Sequence, residues 1–401
     1  MREALYGVPK HAASGRAAEA WAELRALALA PAGPGGEVER LEYRPGGAPP
    51  GLSAPWLVRG VPEAEGWPAA EHWRGEAAFA ERYAGLEVPL TELFPVHGLG
   101  KAQKESLPLP QYLEYAGENS VDFPYYPWER DFKGPQAALL GDFRTLPWFE
   151  DDVYDLAPDV RAAFPLTCHR FVIWGGRRTG SAVHQDPKAS GAWNCCLVGR
   201  KRWCLFPPSV SAAELSGGGG AGRGGGGGGE GGPRVAGDSE NYREQAPAYW
   251  WLDVYPGLRA RGRELGMVEC VQGPGETLYI PPGWWHAVLN VPDEAAGERV
   301  TICCTQNALT PAMLRACPWA WATLRRRWPR LARRLRALAV TRSPPAAAWR
   351  PAPAAADLAG PAGPGDLEAG PGDGDPGAGP AAGLCVPGLP PRLAPPPPED
   401  F

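Results

Sequence analysis

The chain lacks any large excess of one charge. Its 401 residues carry 40 basic and 45 acidic side chains, a net charge of -5. That balance speaks against a bulk polyelectrolyte partner and leaves only local patches for contacts of this kind. Long apolar runs are missing too. No stretch approaches the ~20 apolar residues that cross a bilayer. Arg2, Glu3, Lys10, Arg16 and Glu19 interrupt the amino-terminal stretch where a secretory signal needs an apolar core. No C-x-x-C pair occurs among the nine cysteines, whose number is odd. Cys168, Cys195, Cys196, Cys204, Cys270, Cys303, Cys304, Cys317 and Cys385 therefore read as reduced intracellular thiols, not as a disulfide framework. No repeat of supersecondary length is present. The expectation is a soluble protein of the nucleus or cytoplasm, with no membrane partner.

Glycine and proline are abundant. Their 53 and 48 copies bring the chain near the level where low-complexity segments are expected. They are concentrated in a few stretches, which leaves the remainder free to fold. Residues 1–55 read as an amino-terminal helix, GRAAEAWAELRALALA over 15–30 ended by Pro31, followed by a Gly/Pro-rich connector. Residues 56–310 read as one large domain, with a strand at 56–61, a helix at 68–84, a short segment from Pro110 to Tyr115 and the aromatic run FPYYPWERDF at 123–132. The Gly-rich stretch at 216–232 cannot bury anything and reads as a flexible loop between strands. Residues 311–342 turn helical and basic, and 343–401 have the composition of a disordered tail.

After about residue 166 the pattern is that of strands. RFVIWG (170–175), WNCCLV (193–198), KRWCLF (201–206), ETLYI (276–280), WHAVLN (285–290) and RVTICCTQN (299–307) are short runs rich in β-branched and aromatic residues, separated by turn signals. On extended backbone, side chains two apart share a side, so His184 and Asp186 in SAVHQD can reach one ion together. A third donor is needed to complete a two-histidine, one-carboxylate face, and His286, opening a strand after Pro-Pro-Gly, is the candidate. An H-x-D pair alone is a weak signal, and the other histidines, His11, His72, His97 and His169, keep an ordinary reading.

WNCCLVGRKRWCLF reads as a hairpin with Gly199-Arg200 as its turn. Alternation then puts Asn194, Cys196 and Val198 on one face with Lys201, Trp203 and Leu205. A lysine inside an apolar interior needs an anionic partner, which a ligand carboxylate would supply. A solvated lysine at a hairpin tip fits the same pattern equally well. The last strand puts Thr301, Cys303, Thr305 and Asn307 on one face, where Thr305 and Asn307 are inward polar groups. Cys195-Cys196 and Cys303-Cys304 point their sulfurs to opposite faces and read as small buried fillers.

The stretches RFVIWGGRRTGSAVHQDPKASGAWNCCLVGRKRWCLFPP (170–208) and PGETLYIPPGWWHAVLNVPDEAAGERVTICCTQN (274–307) resemble the JmjC oxygenases. The likeness is narrower to the arginine-demethylase/lysyl-hydroxylase group once called phosphatidylserine receptors, and covers roughly 56–310. It implies a mainly β fold, a double-stranded β-helix (jelly roll or cupin) with flanking amino- and carboxy-terminal helices. It makes His184, Asp186 and His286 the iron ligands. Lys201 would pair with the distal carboxylate of 2-oxoglutarate. Asn194, Thr305 and Ser181 match positions near that co-substrate, Asn290 and Asn307 match polar positions lining the pocket, and Tyr126 competes with Tyr125 for the place of a contacting tyrosine. The Gly-rich loop and the region past 310 depart from the family pattern.

The implied reaction consumes Fe(II)-bound 2-oxoglutarate and O2 and hydroxylates a C–H bond. On an N-methyl group the product collapses to formaldehyde and a demethylated nitrogen. The expected function is a 2-oxoglutarate-dependent dioxygenase acting on protein side chains, by lysyl hydroxylation or N-methyl-arginine demethylation. The alternatives are a related oxygenase acting on a nucleic acid or small molecule, or a non-catalytic JmjC scaffold. Arginines at 325–336 add a patch that suits RNA or a nuclear address, against the plainer reading of a solvated helix face.

Overall fold

A computed structural model of the chain describes residues 20–90, 106–118, 124–153, 170–215 and 247–341. The predicted tail, the Gly-rich loop and residues 15–19 of the first helix lie outside these. The strands form where short apolar runs meet turn residues. They are β1 (Glu39–Glu42), β2 (Trp56–Arg59), β3 (Glu87–Pro89), β4 (Ser106–Pro108), β5 (Trp128–Glu129), β6 (Arg170–Gly175) and β7 (Gly180–His184). The carboxy-terminal half adds β8 (Gly191–Val198), β9 (Arg200–Phe206), β10 (Val268–Gln272), β11 (Glu276–Ile280), β12 (Trp285–Val291) and β13 (Thr301–Ala308).

Seven strands make one sheet in the order β1-β2-β11-β8-β13-β6-β5, four make a second in the order β10-β9-β12-β7, and β3 pairs with β4. Pairing is antiparallel except between β1 and β2. Leu57, Ala192, Leu278 and Ile280 of the larger sheet pack against Trp203, Leu205, Cys270 and Val288 of the smaller one, so the two sheets share a core as in a jelly roll. β8, β11 and β12 are buried at every residue, as strands covered on both faces must be. Helices and loops cover the outer faces. Trp21–Leu29 and the segment 250–258 cover the smaller sheet. Tyr112 and Leu113, together with Leu324, Leu331 and Leu335, belong to the core outside the larger one.

The structure corrects the reading of β8 and β9 as a hairpin. β8 pairs with β11 and β13, and β9 pairs with β10 and β12. Both edges of each strand are taken, and at Gly199 the chain passes from one sheet to the other. Gly199 sits at φ +69°, and a Cβ there would lie 2.8 Å from Thr301 Cγ2 and 3.2 Å from the Val300 carbonyl oxygen. Gly199→Ala is expected to cost about 1–3 kcal/mol, measured as a lower denaturation midpoint at unchanged slope. The alternation also slips once. Ile302 faces Val198 and the next residue, Cys303, faces Cys196, so Leu197 is the extra residue of a bulge. Val198 thereby joins the outer core with Cys195 and Leu197 and leaves the face assigned to it.

The expected helix at 68–84 is two short helices, Ala69–His72 and Glu76–Arg82, broken at Gly75 with φ +127°. Trp21–Leu29 ends at Ala30, whose extended backbone precedes Pro31 as the sequence predicted.

One buried ion pair ties the amino-terminal segment to the smaller sheet. Arg202 and Glu269 are 1% and 0% exposed and bond to each other across β9 and β10. Arg202 also donates to the Ala30 carbonyl at 2.6 Å, and Glu269 accepts the Gly33 backbone N–H at 2.6 Å and the Tyr255 hydroxyl.

Candidate metal centre

His184 closes β7 and His286 is the second residue of β12, and the register sets them opposite each other. Their ring centroids are 4.1 Å apart. Asp186, two residues past the end of β7, brings Oδ1 to 3.9 Å from His286 Nε2. One donor atom from each of the three residues lies within 4.8 Å of the other two.

The imidazoles are oriented by the backbone. Nδ1 of His184 is 2.8 Å from the Ala182 carbonyl oxygen, and Nδ1 of His286 is 3.2 Å from that of Trp284. A carbonyl only accepts, so the proton of each ring sits on Nδ1 and the Nε2 lone pair is left for a metal. Burial pulls the pKa of both rings down to about 4, helped for His184 by the neighbouring His286. Both are therefore neutral near pH 7, the protonation state a metal ligand requires. Burial pushes Asp186 up while His184 draws it down. Its Oδ2 is buried without a hydrogen-bond partner, a costly arrangement that a cation would relieve. The donor set suits a divalent transition metal with open positions.

The loops bearing these three residues are pinned. Gln185 donates to the Gly283 carbonyl at 2.6 Å, linking the two ligand-bearing segments. Trp284 and Trp285 donate their indole N–H groups to the carbonyls of Ser53 and Val210. Lys188 and Ala189 both sit at φ +54°. Two consecutive non-glycine residues held in this region store strain close to the carboxylate.

A cavity runs inward from the triad between the two sheets. Tyr126, Ser181, Asn194, Lys201, Thr305 and Asn307 line it together with His184, Asp186 and His286. Lys201 is 1% exposed, which settles the open choice against a solvated hairpin tip. Its Nζ lies 3.3 Å from the Tyr126 hydroxyl and makes no ion pair among the described residues. An ammonium has three donors, and a buried one without an anion is unfavourable. Of the two candidate tyrosines, Tyr126 lines the cavity and Tyr125 does not. Asn194 Oδ1 is buried and unpartnered, while its amide reaches Cys303 Sγ at 3.4 Å. Thr305 donates to the Trp193 carbonyl at 2.6 Å.

Asn290 lies opposite Lys201 in register, and its side chain hydrogen-bonds Tyr126 of the cavity. Its amide donates to Thr179 Oγ1 and its oxygen accepts from Thr301 Oγ1, so it acts as a strut between strands.

Sequence reasoning left out Trp128, Ile173, Ala192, Ile280 and Val288, which line the cavity. Counting by twos from Tyr126, Asn194 and His286 finds Trp128, Ala192 and Val288. Cys195 and Cys304 pack in the outer core while Cys303 meets Asn194 on the inner face, as the opposed-sulfur reading requires. His72 pairs with the buried Asp142, an ordinary structural role. His11, His97 and His169 lie outside the described residues.

The sequence model of the cupin-like domain matches residues 51–304. The chain belongs to the cupin-like domain family. Among curated proteins this cupin-like chain is 29% identical over 245 residues to the bifunctional arginine demethylase and lysyl-hydroxylase psr-1 of Caenorhabditis briggsae, covering 60% of this chain and 53% of that protein. It is 29% identical over 253 residues to the lysine-specific demethylase JMJ21 of Arabidopsis thaliana, covering 63% and 23%. It is 27% identical over 245 residues to the 2-oxoglutarate and iron-dependent oxygenase JMJD4 of Homo sapiens, covering 57% and 51%. The cupin-like chain thus spans about half the length of these relatives or less. The matched region contains the whole triad and Lys201.

Proposed function

We propose that this protein is an Fe(II)- and 2-oxoglutarate-dependent dioxygenase acting on protein or peptide side chains, by lysyl hydroxylation or N-methyl-arginine demethylation. The observation that carries the reading is one cavity with two neutral imidazoles and a carboxylate at one end and a buried ammonium inside that makes no ion pair among the described residues. The names of the psr-1 and JMJD4 relatives support the same chemistry.

In this reading His184, Asp186 and His286 would hold the iron. Lys201 takes the distal carboxylate of 2-oxoglutarate by a charge-assisted hydrogen bond, with the Tyr126 hydroxyl beside it. Asn194, Thr305, Ser181 and Asn307 offer polar atoms along the rest of the cavity. Bound iron and 2-oxoglutarate supply the O2-dependent oxidation that side chains alone do not perform. Trp128, Ile173, Trp203, Ile280 and Val288 give the cavity apolar walls, which would limit the water around a bound co-substrate.

Mass spectrometry of lysine- and methyl-arginine-containing peptides incubated with protein, iron, ascorbate and 2-oxoglutarate tests the reading. A gain of one oxygen identifies a hydroxylase, and loss of a methylene identifies a demethylase. Succinate formation without change in any peptide would point to a small-molecule or nucleic-acid substrate. Asp186→Ala is expected to keep the fold by circular dichroism yet lose iron binding and turnover together. Retention of iron by that variant would remove Asp186 from the ligand set. We also propose nuclear residence on the strength of the arginine-rich segment at 325–336, and exclusion of the tagged protein from nuclei would refute it.

A further inference from the structure

We infer that Cys303, with Cys196 facing it, is an oxidation site at the Lys201 end of the cavity, where a small hydroperoxide joins the two sulfurs in a disulfide across β8 and β13.

The sequence puts a pair of adjacent cysteines on each of these strands, and the register sets the pairs face to face. Cys303 lies across from Cys196, and Cys304 across from Cys195. Residues directly opposite in an antiparallel pair have Cα atoms about 4.5–5.5 Å apart, within the span a disulfide bridges. A bulge follows Cys196 at Leu197, where a strand bends most readily.

Surroundings tell the thiols apart. All seven cysteines among the described residues are free and buried. Cys195, Cys304 and Cys317 pack in the outer core, Cys204 in the core behind the smaller sheet and Cys270 in the core between the sheets. Cys196 and Cys303 belong to none of these apolar clusters and meet polar groups instead. Cys196 Sγ lies 3.4 Å from the Val198 carbonyl oxygen and 3.5 Å from that of Gly199. Cys303 Sγ accepts from the Asn194 amide at 3.4 Å and from the Lys201 ammonium. Asn194 and Lys201 both line the cavity, so this sulfur stands directly behind its wall. Hydrogen peroxide needs little more room than a water molecule to reach it. Burial pushes the thiols of Cys196, Cys204, Cys270, Cys304 and Cys317 above the ordinary cysteine range, which keeps them protonated and poor nucleophiles.

The first attack therefore belongs to Cys303. Its sulfur takes one peroxide oxygen and gives up its proton. The O–O bond breaks, one oxygen stays on sulfur as a sulfenic acid, and the other leaves with that proton as water. The Lys201 ammonium beside the sulfur hydrogen-bonds the departing oxygen. The Cys196 sulfur then attacks the sulfenic sulfur, the S–O bond breaks, and hydroxide leaves with the Cys196 proton as a second water. This second step is intramolecular, which offsets the weak nucleophilicity of a protonated thiol. Peroxide gains the two electrons that the thiols lose. The bond draws Cys303 Sγ away from Asn194 and Lys201. Its consequence for 2-oxoglutarate rests on the proposed function, and the cross-link itself does not.

Mass spectrometry of the full chain, treated with hydrogen peroxide in native buffer without iron or 2-oxoglutarate, tests the cross-link. The expected product is a Cys196–Cys303 bond with the loss of two hydrogens, reversed by dithiothreitol. Fragmentation between the adjacent cysteines assigns the bond in the parent protein, with no need of a variant. Cys196→Ser is expected to stop at a Cys303 sulfenic acid that dimedone traps, and Cys303→Ser to give neither product. A bond between Cys195 and Cys304, equal oxidation of all the described thiols, or oxidation only in urea would overturn the proposal. In anaerobic calorimetry of the iron-loaded protein, the oxidised form is expected to bind 2-oxoglutarate about tenfold more weakly than the reduced form, the worth of roughly one hydrogen bond. Equal affinity in both forms would overturn the coupling to the cavity. A reduced form that binds no 2-oxoglutarate would refute the proposed function and leave the cross-link standing.

Discussion

Lys201→Met is expected to make the ligand-free protein more resistant to heat while weakening its affinity for 2-oxoglutarate by roughly a hundred- to several-thousand-fold. The two effects come from one ammonium. Without ligand, Lys201 is a buried cation that donates to the neutral Tyr126 hydroxyl and makes no ion pair among the described residues. Replacing it with an apolar chain of similar length removes a desolvation cost, and exchanges of buried ionic groups for apolar ones stabilise by about 1–4 kcal/mol in favourable cases. With ligand, the same change leaves a carboxylate in the cavity without its cation. Losing one member of a buried pair costs roughly 3–5 kcal/mol, which is roughly a hundred- to several-thousand-fold in affinity. Thermal unfolding without co-substrate and anaerobic calorimetry of 2-oxoglutarate binding read the two effects separately. A melting temperature that falls would mean the ammonium is already satisfied, and an unchanged dissociation constant would remove Lys201 from the co-substrate site.

Glu269→Ala should be among the most damaging single changes in the chain, although it lies outside the cavity. The carboxylate is fully buried and accepts from Arg202, Tyr255 and the Gly33 backbone. Its removal leaves the Arg202 cation without an anion at a site 1% exposed, at a cost of about 3–5 kcal/mol. Chemical denaturation should show a large drop in midpoint. The paired change Arg202→Met with Glu269→Leu removes both charges and should recover much of the stability. If the double variant is as unstable as the single one, the network's value lies in its hydrogen bonds to the amino-terminal segment and not in compensation of charge.

The sequence made the ligands legible because their chemistry is local. Two donors stand two residues apart on extended backbone, and the third opens a strand after a proline-rich turn. Strand positions were legible for the same reason: β6 and β11 coincide with the apolar runs RFVIWG and ETLYI. Partner choice was not legible. A Gly-Arg link between two apolar runs is the mark of a hairpin, and nothing within the segment reveals that β10, β11, β12 and β13 occupy the edges of β8 and β9. The inward setting of Lys201 survived that error, because alternation within β9 does not depend on which strand lies beside it. Val198 did not survive it, since a one-residue bulge in β8 reverses the parity beyond Leu197. The buried Arg202 was equally hidden. Between Arg200 and Trp203 it reads as one more surface cation until Glu269 is placed beside it.

Arg202 also couples two distant parts of the molecule. Lys201 and Arg202 are consecutive in β9, so one faces the cavity while the other grips the carbonyl of Ala30. Fragments that start downstream of Gly33 would leave Arg202 and Glu269 without two of their backbone partners and would admit water to the back of the strand that carries the ammonium. Shortening the amino terminus to improve expression or crystals would therefore be felt as slack in co-substrate binding, at a distance from anything removed.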